Sequence, residues 1–332
     1  MKILRPIAIA LAALLAACSP AKKQAAAADG GVTVIRFATD WRAQAEHGGF
    51  YQALASGEYK RRGLDVRIVQ GGPGVNVPQL LTAGAVDMGM GSNSFLVLNL
   101  AQQGAPVKAV AAFFQKDPQV LLAHPNVGVR TIEDLKGKPI LLSDASVGAF
   151  WPWLKAKYGF SDDQVRKYTF NSAPFLADKR AAEEGYLTSE PYTLEKQAGF
   201  KPVVFLLADN GYAGYANMAL AANTLIASNP AAVKAFVEAS AKGWRDYLYG
   251  DPSAADALIR KDNPEMTEDV LDQARDKMRR FGLVDSGDAK AGGVGAMTDA
   301  RWKLVFETAA SEGLYPKDMD YKRAYTLQFL AK

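Results

Sequence analysis

Val32-Thr33-Val34-Ile35-Arg36-Phe37-Ala38-Thr39-Asp40-Trp41 decides how the chain is read: an apolar, β-branched run stops at a hydroxyl, a carboxylate and an indole. Such a run bounded by polar residues predicts a strand that ends in a loop carrying chemistry. Beyond it, residues 48–62 space Phe50, Tyr51, Leu54 and Tyr59 as one helix, and residues 64–69 read as a second strand closed by the turn Gly71-Gly72-Pro73-Gly74. A short helix over 77–83, a strand over 86–90 ended by Gly91, a helix over 95–103 and a strand over 107–114 follow. Strands alternating with helices predict an α/β fold with a mostly parallel sheet flanked by helices.

The pattern then repeats in looser form. Residues 120–123 read as a crossing strand, 131–135 as a capped turn, and 140–142 as a strand leading to the polar loop 143–148 and an aromatic helix with Phe150, Trp151 and Trp153. Strands are expected at 203–207 and 218–226, the latter returning to the first lobe. Asn229-Pro230 opens a long amphipathic helix, Thr267 caps another, and residues 299–312 form a third. The expected organisation is therefore lobe I over 32–122, lobe II over 123–222, and a return to lobe I with C-terminal helices over 223–332. No internal sequence repeat is visible.

Lys2 and Arg5, the apolar run 7–15 and the small residues before Cys18 have the layout of a removable export signal over 1–17. Leu15-Ala16-Ala17-Cys18 resembles the lipobox of bacterial lipoproteins, which makes Cys18 a lipidation site, and residues 18–31 read as a flexible tether. The protein is expected to be exported and periplasmic. Ser19 points to the outer membrane and an import role to the inner one, so the membrane stays open. The formal charge of +4, less Lys2 and Arg5, leaves +2, and no basic stripe suited to nucleic acid is present. Cys18 is the one cysteine, which excludes an internal disulfide and a Cys-based metal site.

Phe37-Ala38-Thr39-Asp40-Trp41, His47-Gly48-Gly49-Phe50-Tyr51, Arg62-Gly63-Leu64-Asp65-Val66, the run 80–87, the run 131–138, Ser189-Glu190-Pro191-Tyr192 and Ser228-Asn229-Pro230 carry a family resemblance. In this order they resemble solute-binding proteins of ABC importers, in the group covering nitrate, taurine, alkanesulfonates and thiamine-pyrimidine precursors. The resemblance implies the two-lobed periplasmic-binding-protein fold of type II, with a two-strand hinge and a small ligand in the cleft. It implies an ABC permease and ATPase as partners, beside the membrane that holds the anchor. The Asp40-Trp41 and His47 segments look most like the branch that binds thiamine-pyrimidine precursors, which includes the fungal pyrimidine synthases. Those enzymes carry a cysteine-rich iron motif that this sequence lacks.

Ligand-binding candidates fall at strand ends and helix starts, where such clefts form. Trp41 and Tyr51 offer rings, Asp40 a carboxylate, and His47 a second polar contact, against core packing or helix capping as the plainer roles. Ser92 and Asn93 open a helix and either bind a ligand or cap it. Ser146 and Trp151 repeat this in lobe II, joined by Glu190, Tyr192, Tyr212 and Asn217. The run Glu184-Gly185-Tyr186-Leu187-Thr188 departs from the family pattern. Asp40, Glu46 and Glu190 would repel an anion, so a neutral or amino-bearing heteroaromatic ligand is expected, with an alkanesulfonate, taurine or nitrate as the alternative. No catalytic constellation, metal site or cofactor is expected, and the protein should act as a monomer.

Overall fold

The computed structural model describes residues 31–72 and 74–331. The signal segment and Cys18 lie outside the described residues. No helix among the described residues is long and apolar enough to cross a membrane.

The first four strands are β1 (Thr33–Ala38), β2 (Leu64–Val69), β3 (Met88–Asn93) and β4 (Val107–Phe114). The next five are β5 (Gln119–Ala123), β6 (Ile140–Leu142), β7 (Val165–Lys167), β8 (Ala182–Tyr186) and β9 (Val203–Leu206), and β10 (Ala216–Ala222) returns. They form two five-stranded sheets, ordered β2-β1-β3-β10-β4 and β7-β6-β8-β5-β9. Each sheet is parallel except for one strand, β10 in the first and β5 in the second. In each case the antiparallel strand is the one that arrives from the other lobe. The same plan is thus built twice without a repeat in the sequence, and the lobes are joined by the crossings at residues 115–118 and 211–215.

Strand membership places those crossings several residues before the boundaries expected at 122 and 222, because β5 pairs in the second sheet and β10 in the first. The third strand runs through Gly91 to Asn93, since Gly91 pairs with Met218 of β10 and does not end it. The expected helix 48–62 is two helices, Gly48–Ala55 and Glu58–Arg61.

Burial explains the first lobe. Ile35 and Phe37 of β1 are fully buried, and Phe37 meets Phe50 at 4.6 Å and Phe236 at 4.9 Å between ring centroids. Phe236 and Trp244 lie on the helix Pro230–Tyr249, which packs on Gly48–Ala55. Two glycines permit that close crossing: a Cβ on Gly243 would stand 2.1 Å from the carbonyl oxygen of Gly49. In the second lobe Trp151, Trp153 and Leu154 of the helix Trp151–Tyr158 bury together with Ile140 and Leu142 of β6.

Candidate functional site

The loop after β1 is held open toward the other lobe by its own backbone. Thr39 Oγ1 donates to the Trp41 carbonyl at 2.8 Å, and the Gly71 amide donates to that carbonyl at 3.2 Å and to Thr39 Oγ1 at 3.1 Å. A Cβ on Gly71 would lie 2.3 Å from the Thr39 carbonyl oxygen, so this approach requires glycine. Asp40 is thereby aimed at the cleft. It accepts from Ser92 Oγ at 2.7 Å, while His47 Nε2 stands 3.3 Å from its other oxygen. Burial would raise this carboxyl, but the His47 ring and the Ser92 hydroxyl hold it below the usual carboxylate range.

Between the lobes a small cavity is lined by Asp40, Glu46, His47 and Ser92 from one side, by Tyr186 from the other, and by Asn217 at the return crossing. No lysine or arginine lines it. Its volume is about 10 Å³, room for one water, so the lobes must part before a larger solute enters. Glu46 accepts from Thr188 of the opposite lobe, and its backbone carbonyl accepts from Asn217 Nδ2. Burial pushes the Glu46 carboxyl up.

The closed arrangement is fastened outside the cavity as well. Tyr192 Oη and Lys196 Nζ, both on the helix Glu190–Ala198, reach Asp269 Oδ2 at 2.6 and 2.5 Å. Gln273 Nε2 donates to the Thr188 carbonyl at 2.5 Å and Lys277 Nζ to that of Leu187 at 2.9 Å. Burial holds the Lys277 amine below its usual value, against the pull of Glu195, Glu46 and Glu190. Trp41 of the first lobe also meets Phe170 of the second, with ring centroids 4.3 Å apart. Phe170 is 46% exposed and sits at φ 61°, a backbone region unusual for a large side chain.

Behind Tyr186 the second lobe buries three carboxyls. Glu190 accepts from the Tyr186 amide at 2.7 Å and Glu183 from Ser172 Oγ at 2.7 Å. Burial pushes each up to about 7. Glu184, raised by burial as well, faces Ser146 and Ser143. Among the described residues no group of His, Cys, Asp and Glu gathers as metal ligands.

Of the residues singled out from the sequence, Asp40, His47, Ser92 and Asn217 meet at the cavity, and Trp41, next to Asp40 in the chain, meets Phe170 of the other lobe without lining the cavity. The others take different places. Tyr51 is buried in the first lobe and donates to Asp262 at 2.8 Å, because the helix Gly48–Ala55 turns that face into the core. Asn93 caps the helix Ser94–Gln102 by accepting from the Leu96 amide at 3.0 Å. Ser146 is buried in a cap with Ser143, whose Oγ donates to it at 3.1 Å. Trp151 is core, its Nε1 donating to Asp162 at 2.8 Å. Tyr212 is core too, stacked on Phe95 at 4.9 Å. Glu190 packs beneath Tyr186 and Gly185 instead of lining the cavity, and Tyr192 belongs to the outer fastening. Sequence reasoning passed over Tyr186 and Phe170, and counted Glu46 for its charge alone.

Ser92 donates to Asp40 and not to His47, so the carboxylate stands between hydroxyl and imidazole. That order does not make the nucleophile and base contact on which hydroxyl activation depends. Two lobes of like topology, a paired crossing and a polar cavity between the lobes define the two-lobed periplasmic-binding-protein fold. The sequence profile of the family described as "NMT1/THI5 like" matches residues 44–255, and the chain belongs to that family. The riboflavin-binding protein RibY of Chloroflexus aurantiacus is 27% identical over 287 residues, covering 85% of this chain and 81% of RibY. The 4-amino-5-hydroxymethyl-2-methylpyrimidine phosphate synthase of Schizosaccharomyces pombe is 29% identical over 106 residues, 32% of this chain and 30% of that enzyme. Among solved structures, the periplasmic aliphatic sulphonate binding protein SsuA of Escherichia coli superposes with a TM-score of 0.65 at 16% identity, over 88% of this chain and 92% of that one.

Proposed function

We propose that the protein is an exported solute-binding protein, tethered through Cys18, that captures a small heteroaromatic ligand between its lobes and delivers it to an ABC importer. The observation that carries this reading is the cavity lining: two carboxyl groups, an imidazole, the amides of Gln44 and Asn217, and hydroxyls, with no lysine or arginine. A sulfonate or nitrate would meet Asp40, held ionised, with no lysine or arginine in the lining to offset the repulsion. A ring with N–H or O–H donors meets acceptors instead. Trp41 and Phe170 supply flat apolar faces where the lobes meet, which suit a planar ring entering as the lobes part. The resemblance to a riboflavin-binding protein over most of both chains supports the same choice of chemistry, whereas the likeness to SsuA is one of fold.

Binding and closure are one equilibrium: a ligand that touches both lobes favours the closed form by its extra contacts there. The enzyme alternative is opposed by the order of Ser92, Asp40 and His47. The test is mass spectrometry of ligand released from freshly purified protein, with tryptophan-fluorescence titration of riboflavin, 4-amino-5-hydroxymethyl-2-methylpyrimidine, taurine and an alkanesulfonate. Saturable binding of a ring compound and none of the sulfonates is the expected result. Tight binding of a sulfonate without response to either ring would overturn it.

A further inference from the structure

Asn217 occupies the cleft end of β10 in a conformation that a strand does not need. Its φ is +46°, and the pairing registers with β3 and with β4 both pass over it, running from Ala216 to Met218. Asparagine tolerates the left-handed region better than most residues, but at a cost that the surroundings must hold in place. What holds it here is Nδ2, which donates to the carbonyl oxygen of Glu46. A backbone carbonyl only accepts, so the amide cannot be turned over, and Oδ1 is fixed away from Glu46. That oxygen is buried, in a residue 4% exposed, and has no hydrogen-bond partner among the described residues.

His47 lines the same cavity. Its ring is fully buried, Nε2 faces the Asp40 carboxylate, and Nδ1 has no partner among the described residues. Ser92 and His47 each reach one oxygen of Asp40, so Asp40 orients the imidazole, whereas Asn217 Oδ1 has no partner at all among the described residues. Buried polar atoms are paired in native proteins with few exceptions, and an exception on a cavity wall marks where a partner belongs.

We propose that Asn217 Oδ1 is the specificity element of the cleft, and that it selects an uncharged heteroaromatic ligand by an N–H donor, on the ring or on an exocyclic amino group. This rests on the heteroaromatic reading above and adds which edge of the ring is read. An analogue that cannot donate would leave Asn217 Oδ1 buried and unpaired, and that omission is penalised more heavily than a contact is rewarded.

The test is calorimetry on the full chain with four probes: riboflavin, its N3-methyl derivative, 4-amino-5-hydroxymethyl-2-methylpyrimidine and its dimethylamino derivative. The expected result is that the parent ring that binds loses about ten- to a hundredfold in affinity when its N–H is methylated. In Asn217→Ala, with an unchanged ligand-free melting curve, the same comparison should shrink to less than about threefold. Should that variant fold poorly, the methylation comparison on the unaltered protein decides alone. Equal affinity for parent and methylated ring, or discrimination that persists undiminished in folded Asn217→Ala, would overturn the role of Asn217 while leaving the ring-binding function standing. Binding of neither parent ring would remove both.

Discussion

Glu190 lies with its carboxyl against Gly185 and the amide of Tyr186, near Glu46 and Glu184. Burial, with those neighbours adding to it, raises its pKa from 4.5 to about 7. Between those values the folded protein keeps a proton that the unfolded chain has released. Its stabilising contribution is therefore complete below 4.5 and is lost as pH rises to about 7. Glu190→Gln is expected to flatten that loss by on the order of 2 to 3 kcal/mol, with Glu183 supplying a remaining slope. Denaturant unfolding from pH 4.5 to 8 checks it, and an unaltered slope would refute the assignment. At this scale the sequence was readable where a residue's neighbours along the chain fix its place. Asp40 and Ser92 fall at the ends of β1 and β3, and strand ends point to the cleft. Tyr51 and Trp151 are aromatic residues one helical turn from the same edge, and only packing decides that they turn inward. Glu46 and Thr188 stand 142 residues apart, and no local pattern announces such a pair.

At the scale of elements, β8 is the instructive case. It is the central strand of the second sheet, yet Ala182-Glu183-Glu184-Gly185-Tyr186 has neither an apolar run nor alternation. Glu183 and Glu184 are buried on opposite faces, 0% and 4% exposed, and hydroxyls of Ser172, Ser143 and Ser146 make that tolerable. Strands β1, β2 and β4 were legible because burial there is apolar. The crossing of helices Gly48–Ala55 and Pro230–Tyr249 is equally hidden in sequence, as it depends on glycines 194 positions apart meeting in space. Gly243→Ala should cost about 3 kcal/mol by overpacking against Gly49 and Ala53, measured as a lower denaturation midpoint; a change below about 0.5 kcal/mol would show that the helices can separate. The outer fastening is weaker. Asp269→Ala removes an exposed ion pair and a tyrosine contact, both screened by solvent. Ligand affinity should fall two- to fivefold with little change in melting temperature, because only the closed form loses contacts. A variant that melts earlier without losing affinity would place that helix contact in both forms.

Over the whole molecule, two lobes of one topology hang on two crossings, and Arg301 joins them. From the helix Asp299–Ser311 it donates to the Gln115 carbonyl of the first crossing and to those of Ala213 and Gly214 in the second, the latter pair at 3.0 and 3.3 Å, and it stacks over Tyr215. Lys116 and Asp209 add a bridge of 3.1 Å beside the crossings. Both crossings are thus gripped from the first lobe. With about 10 Å³ between the lobes, the proposed capture requires an open form, and the proposed selectivity requires that a ring compound close it. Small-angle X-ray scattering during titration with riboflavin, with 4-amino-5-hydroxymethyl-2-methylpyrimidine and with taurine measures this directly. The expected result is a saturable fall in the radius of gyration with a ring compound and none with taurine. Compaction by taurine alone, or a radius that no ring compound changes although it binds, would contradict the account.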